Sequence, residues 1–269
     1  MPKFAANISL MFSEVPLLDR IEAAYRCGFN AVEILNPYQE SIADLQQRLS
    51  DVDLNLVLIN TPMGDVKAGE RGLGAVPGRE MAFRDHFLSA VEYADALKVR
   101  KLHVMAGVVP SGVSPQACEE VFVENMRWAQ AHIEQAGLDV DLMLEPLNDQ
   151  DVPGYLYART DQAITLIERI GPSVQLQFDF YHVHIMEGAV ADRLRLLYDR
   201  IGHVQFSCVP DRHEPQFGEP DVYPLFELLD SLDYTGWVGC EYRPKTNTLE
   251  GLSWGERFGL GPPGAVQSD

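Results

Sequence analysis

The chain has 269 residues, 46% of them hydrophobic, and a formal net charge of −19 from 40 acidic against 21 basic residues. That length buries one sizeable core and fits a single α/β barrel of about 250 residues. The acidic excess repels polyanions and argues against nucleic acid as a partner, though a few local arginines can still bind a small anion in a desolvated cleft.

Short apolar segments alternate with helical patterns from the amino terminus onward. Strands are expected at Phe4–Leu10, Ala31–Leu35, Leu54–Asn60, Lys101–Met105, Val140–Glu145, Val174–Asp179, His203–Phe206 and Gly236–Glu241, each short and apolar enough to be buried on both faces. Leu17, Ile21, Ala24 and Tyr25 have helical spacing before a Cys27-Gly28 stop, and Phe83, Phe87, Val91 and Ala94 repeat the pattern. Thr160-Asp161 opens another helix, which Gly171-Pro172 ends. Eight strand–helix pairs predict a single-domain (β/α)8 TIM barrel, and the lack of a G-x-G-x-x-G after the first strand argues against a doubly wound sheet.

Three long connections, Thr61–Gly78, Pro146–Ala158 and Cys208–Pro220, all follow strands and so belong to the catalytic face of such a barrel. The barrel is expected over residues 1–258, with Gly259–Asp269 a loosely ordered tail. Cys27, Cys118, Cys208 and Cys240 are scattered, without C-x-x-C or zinc-like spacing, and read as reduced thiols. No secretion signal is visible at Met1–Asn7 and no apolar run reaches the ~18 residues of a bilayer span. A cytoplasmic protein without a membrane partner is the expectation.

Four of the apolar runs end on an oxygen donor: Glu145, Asp179, Gln205 and Glu241. Strand ends at one rim are how a barrel gathers ligands. Three carboxylates and an amide oxygen form a hard set suited to Mg2+ or Mn2+, and a divalent cation keeps neighbouring carboxylates ionised where they would otherwise raise one another's pKa. Each residue singly is as well explained as a strand-end polar group beside solvent; four in succession are not. Arg71 and Arg212, in the long loops after the third and seventh strands, and Arg243 beside Glu241 are candidates to grip a substrate carboxylate. Asn7, Glu33 and Asn60 close the first three strands and are expected to hold the ligands' geometry through hydrogen bonds. Trp237 and Tyr242 read as packing, and Phe12 as a cap over the pocket.

The stretches Phe4–Phe12, Ala68–Gly72, Pro77–Glu80, His203–Gln205 and above all Gly236-Trp237-Val238-Gly239-Cys240-Glu241-Tyr242 resemble the hydroxypyruvate isomerase family, one of the xylose isomerase-like barrels. The resemblance covers about residues 3–258. His103–Pro110 and Pro210–Pro215 are most similar to its 2-oxotetronate isomerase branch. It implies an enzyme shifting a carbonyl between adjacent carbons of a small 2-oxo-3-hydroxy sugar acid through a cis-enediolate, with a divalent metal as Lewis acid. It further implies Glu145, Asp179, Gln205 and Glu241 as metal ligands, Glu145 and Glu241 also as the acid/base pair, and His182 as a substrate-binding residue; which glutamate is the base stays open. His184 and His203 take structural readings, and a homo-oligomer is compatible with all of this.

Three other readings remain. A ketose 3-epimerase uses the same barrel, metal and glutamates; a non-catalytic barrel would bind the sugar acid as a sensor. An apurinic-site endonuclease-type phosphodiesterase wants a histidine-rich metal cluster and a basic face, against which stand seven histidines and the −19 charge.

Overall fold

A computed structural model of the chain describes residues 1–263. Its eight strands are β1 (Lys3–Asn7), β2 (Ala31–Ile34), β3 (Asn55–Asn60), β4 (Lys101–His103), β5 (Asp141–Leu144), β6 (Val174–Asp179), β7 (Ile201–Phe206) and β8 (Trp237–Cys240). They pair in parallel in chain order and close through β1 and β8, with Phe4 opposite Val238 and Ala6 opposite Cys240. Around them run α1 (Leu17–Arg26), α2 (Ile42–Asp51), α3 (Glu80–Ala96), α4 (Pro115–Ala136), α5 (Thr160–Ile170), α6 (Phe180–Glu187), α7 (Val190–Leu197), α8 (Tyr223–Ser231) and the short α9 (Thr248–Gly251). This is the (β/α)8 barrel expected from the alternation of short apolar runs and helical stripes.

Local chemistry sets the element ends. Ser114 caps α4 by accepting from Ala117 N, Pro115 occupies its first position, and Gly137 in the left-handed region ends it. α5 starts at Thr160 as expected; the Thr160 N–H and hydroxyl both donate to Glu187, and Gln162 Oε1 accepts from the N–H groups of Ala158 and Arg159. The first strand is also shorter than predicted. Asn7 O accepts from Leu10 N and Met11 N, and Asn7 Oδ1 from Ser9 N, so the backbone turns where apolar composition suggests continuation.

The described carboxyl end is tied down beyond Gly259. Leu260 is buried and Gly261 N donates to Cys27 O, packing this segment against the end of α1; residues 264–269 of the predicted tail lie outside those described. All four cysteines are free and buried. Among the described residues no helix is long and apolar enough to cross a membrane.

Side chains inside a barrel are mostly branched aliphatics stacked in layers. Here one interior level is polar: Asn7, Glu33, Gln177, His203 and Gln205 are all buried. Glu33 takes hydrogen bonds from Asn7 Nδ2 at 3.0 Å, Gln205 Nε2 at 2.8 Å and His203 Nε2 at 2.5 Å. Gly239 on β8 makes room for it, since a Cβ there would lie 2.1 Å from Glu33 Oε1. Polar atoms confined to a core are stable only when partnered, and this cluster largely partners itself.

Candidate active site

The carboxyl ends of the strands surround a cavity of about 370 Å³, lined by Asn60, Arg71, His103, Glu145, His182, Arg212, Glu241 and Arg243 together with Leu35, Met63, Met105, Leu147 and Val152. Glu145 and Glu241 each lie one residue beyond β5 and β8, Asp179 is the last residue of β6, and Gln205 is the penultimate residue of β7. Strand geometry thus carries Glu145, Asp179 and Glu241 to one rim, whereas the Gln205 amide is bonded to Gln177 and Glu33 in the interior level beneath them. A more open cavity of about 600 Å³ adjoins it over the ends of β2 and β3 and shares Met63, but there Glu70 is already paired with Arg79 at 2.6 Å.

The carboxylates are buried and crowded. Burial, reinforced by Glu241 and Asp179, pushes Glu145 well above the usual carboxylate range. Burial raises Glu241 to about 8, with Arg212 opposing, and raises Asp179 to about 6 against Arg212 and the Tyr181 N–H that its Oδ1 accepts. Arg212 is the cation paired with them: its Nη2 lies 2.8 Å from Glu241 Oε1 and 3.3 Å from Asp179 Oδ2. Burial works against its charge, yet Glu241, Asp179 and Glu145 together outweigh it and raise its pKa. The loop that delivers Arg212 is clamped by reciprocal Cys208–His213 backbone bonds and by Arg243 N donating to Arg212 O, with Arg212 itself at φ 59°. A non-glycine residue in that region is worth explaining, and here it turns the guanidinium inward.

Glu145 Oε1 and Glu241 Oε2 are buried without a hydrogen-bond partner. Unpartnered carboxylate oxygens beside a third carboxylate are what a bound cation satisfies, so the donor set fits a divalent metal. The site atoms of Glu145, Asp179 and His182 also lie within 4.8 Å of one another. His182, however, has the wrong proton inventory for a ligand. Asn148 Oδ1 accepts from the N–H groups of Gln150 and Asp151, which fixes its Nδ2 as the donor end. That Nδ2 lies 2.7 Å from His182 Nδ1, and Asn148 N donates to the same nitrogen at 3.1 Å. Nδ1 is therefore an acceptor, and in a neutral ring Nε2 carries the proton. Burial, then Arg212 and His103, lower the His182 pKa well below its ordinary value and keep the ring neutral. His182 Nε2–H, unpartnered and 3.7 Å from Asp179 Oδ2, is a hydrogen-bond donor held ready beside the carboxylates.

The remaining candidates divide. Arg71 lines the cavity, but its Nη1 donates to the Val66 and Glu70 carbonyls; Arg243 stands exposed at the rim. Asn7 donates to Glu33 and Glu33 accepts from Gln205 in the interior, whereas Asn60 faces the cavity with Oδ1 unpartnered. Tyr242 is packed with its hydroxyl accepting from Trp254 Nε1 at 3.1 Å. Phe12 is not among the cavity-lining residues; it packs edge-on against Phe29, so the capping role expected for it is not what the fold gives it.

Two residues were missed from sequence. His103, the last residue of β4, lines the cavity with Nδ1 3.3 Å from Glu145 Oε2 and both ring nitrogens unpartnered; burial lowers its pKa to about 3. It gave the same signal as the four donors, a polar residue ending an apolar run, but the expected strand ran on to Met105 and hid it. Asn148 gave no signal, because its role depends on a loop that folds back onto α6.

A family model described as xylose isomerase-like TIM barrel matches residues 21–258. The 2-oxo-tetronate isomerase of Cupriavidus necator is 44% identical over 255 residues, covering 94% of this chain and 97% of that protein. The hydroxypyruvate isomerase of Escherichia coli is 40% identical over 255 residues, covering 94% and 98%. Among solved structures, a protein from Brucella melitensis described as AP endonuclease, family 2, superposes with a TM-score of 0.92 at 42% identity, over 96% of this chain and 99% of its own. The chain belongs to the xylose isomerase-like TIM barrel family. Its enzyme class is that of an isomerase, and its resemblance to the hydroxypyruvate and 2-oxotetronate isomerases extends over nearly the whole length.

Proposed function

We propose that the chain is a metal-dependent keto-hydroxy isomerase acting on a small 2-oxo-3-hydroxy acid, 2-oxotetronate or hydroxypyruvate, in the cytoplasm. The observation that carries the reading is the set of buried carboxylates Glu145, Asp179 and Glu241, two of them with unpartnered oxygens facing a small polar cavity. The names of the two nearly full-length relatives supply the substrate class.

Glu145, Asp179, Gln205 and Glu241 would hold the metal, Mg2+ or Mn2+ by the hardness of the donors. When bound, that cation supplies Lewis-acid stabilisation of the charge that develops on the substrate oxygens. The chain's own groups do the rest. One of Glu145 and Glu241 removes the C3 proton, giving a cis-enediolate, and the other manages the proton that returns at C2, while the hydroxyl proton moves from O3 to O2. Acid/base groups must reach the proton they move, and Glu145 and Glu241 both line the cavity. His182 Nε2–H donates to a substrate oxygen, and Arg212 positions Glu241 while offering its remaining N–H groups to the substrate. Arg71 and Arg243 are the candidates for the substrate carboxylate at the outer side of the cavity, and the hydrophobic wall of Leu35, Leu147 and Val152 excludes water.

The decisive assay offers hydroxypyruvate and both 2-oxotetronate stereoisomers to the protein, with and without chelator. Conversion of one acid, lost on chelation and restored by Mg2+ or Mn2+, supports the reading; inversion of free ketohexoses without turnover of either acid replaces it with the epimerase. The description of the Brucella melitensis structure raises a phosphodiesterase, which the crowding of carboxylates and the −19 charge disfavour for a polyanionic substrate.

A further inference from the structure

We infer that Glu33, buried in the barrel on β2, is a positioning residue that decides which end of the Gln205 amide faces the metal site. The inference rests on the metal-binding reading above and adds a residue that does not touch the metal. A primary amide has two ends of nearly equal shape, and only the oxygen can ligate a cation; the NH2 end offers two donors and repels it. An amide ligand therefore needs a partner that recognises one end alone.

Glu33 meets that need. As an acceptor-only carboxylate it takes Gln205 Nε2 at 2.8 Å, and so leaves Oε1 as the end turned away. Gln177 Nε2 donates to that oxygen at 2.6 Å, consistent with the same orientation and leaving a second lone pair. Glu33 is itself held on both oxygens, by Asn7 Nδ2 at 3.0 Å on Oε2 and by His203 Nε2 at 2.5 Å on Oε1. The reach from β2 across to β7 depends on Gly239, because any Cβ there would collide with Glu33 Oε1. A carboxylate with three donors, a glycine opposite it and a glutamine fixed by its nitrogen end form one device. Outer partners of metal ligands are worth about 10–100-fold in metal affinity.

The test measures Mn2+ binding to the full-length protein by titration calorimetry, after stripping with chelator. Glu33→Gln offers an amide that can pair with either end of Gln205, so its affinity should fall about 10–100-fold in stripped protein that still gives the circular dichroism spectrum of the barrel. The exchanged pair, Glu33→Gln with Gln205→Glu, places oxygens at both ends of residue 205 and should recover affinity to wild-type level or better. Glu33→Asp, which keeps the charge but withdraws it by one methylene, serves if Glu33→Gln does not fold, and the same loss is expected. Wild-type affinity in Glu33→Gln or Glu33→Asp overturns the inference, as does an exchanged pair as weak as the single variant. A wild-type protein that binds no Mn2+ overturns the metal reading itself, a result separable from the others.

Discussion

Arg212 Nη2 lies 2.8 Å from Glu241 Oε1, which makes an arginine the direct partner of one of the two proposed acid/base glutamates. The same nitrogen is 3.3 Å from Asp179 Oδ2, so a single guanidinium offsets much of the negative charge at the rim. The sequence placed Arg212 among candidates for a substrate carboxylate; in the fold it is first a partner of the protein's own carboxylates.

Removing Arg212 therefore affects stability as well as catalysis. Breaking a buried ion pair from one side leaves uncompensated charge and costs roughly 3 kcal/mol. Arg212→Ala is expected to lower the urea-unfolding free energy of the metal-free protein by about that amount, with part of the loss recovered on adding Mn2+. No change in stability would mean that the pair is not formed in solution.

Glu145→Gln and Glu241→Gln preserve shape but remove the carboxylate that can accept and release a proton. Each should reduce kcat by about 10²–10⁴ while the far-ultraviolet circular dichroism spectrum stays that of the barrel. Near-normal turnover in either variant removes that residue from the acid/base pair.

The pH dependence of the metal-free protein has a definite sign. Glu145, Asp179 and Glu241 all have folded pKa values raised by burial, Asp179 to about 6 and Glu241 to about 8. Their contribution to stability is fully present below the unfolded carboxylate values and is lost as pH rises through the folded ones. Melting temperature without metal should accordingly fall from roughly pH 5 to roughly pH 8.5, the window set by Asp179 and Glu241. Glu241→Gln should flatten the fall, and added Mn2+ should raise the melting temperature more at the alkaline end. A stability that climbs across the window, with the variant unchanged, contradicts this account of the carboxylates.

Gly239→Ala tests the interior. Its methyl group would stand 2.1 Å from Glu33 Oε1, and overpacking of a filled core typically costs about 1–3 kcal/mol. Urea denaturation should register that loss; full stability would show that Glu33 does not cross the barrel beside Gly239.

The fold was legible because burial on both faces makes parallel strands read as short apolar runs, and the donors were legible because each interrupts such a run at its end. Glu145, Asp179 and Glu241 come to one rim of the barrel for that reason, with Gln205 in the interior level beneath them. What the sequence does not encode locally is pairing across the barrel. The His182 tautomer depends on Asn148, 34 residues away, and the Gln205 orientation on Glu33, 172 residues away. Phe12 illustrates the reverse error: an aromatic residue just past a strand suggests a cap, but the turn begun at Asn7 carries it to Phe29 instead.

The most direct test of the central claim follows the substrate's C3 proton by NMR in D2O, using metal-stripped and Mg2+-reconstituted protein with 2-oxotetronate and hydroxypyruvate. The account predicts isomerised product and solvent exchange only with metal present, and neither with Glu145→Gln or Glu241→Gln. Equal turnover by the metal-stripped protein, or no exchange on either acid with metal bound, would contradict it.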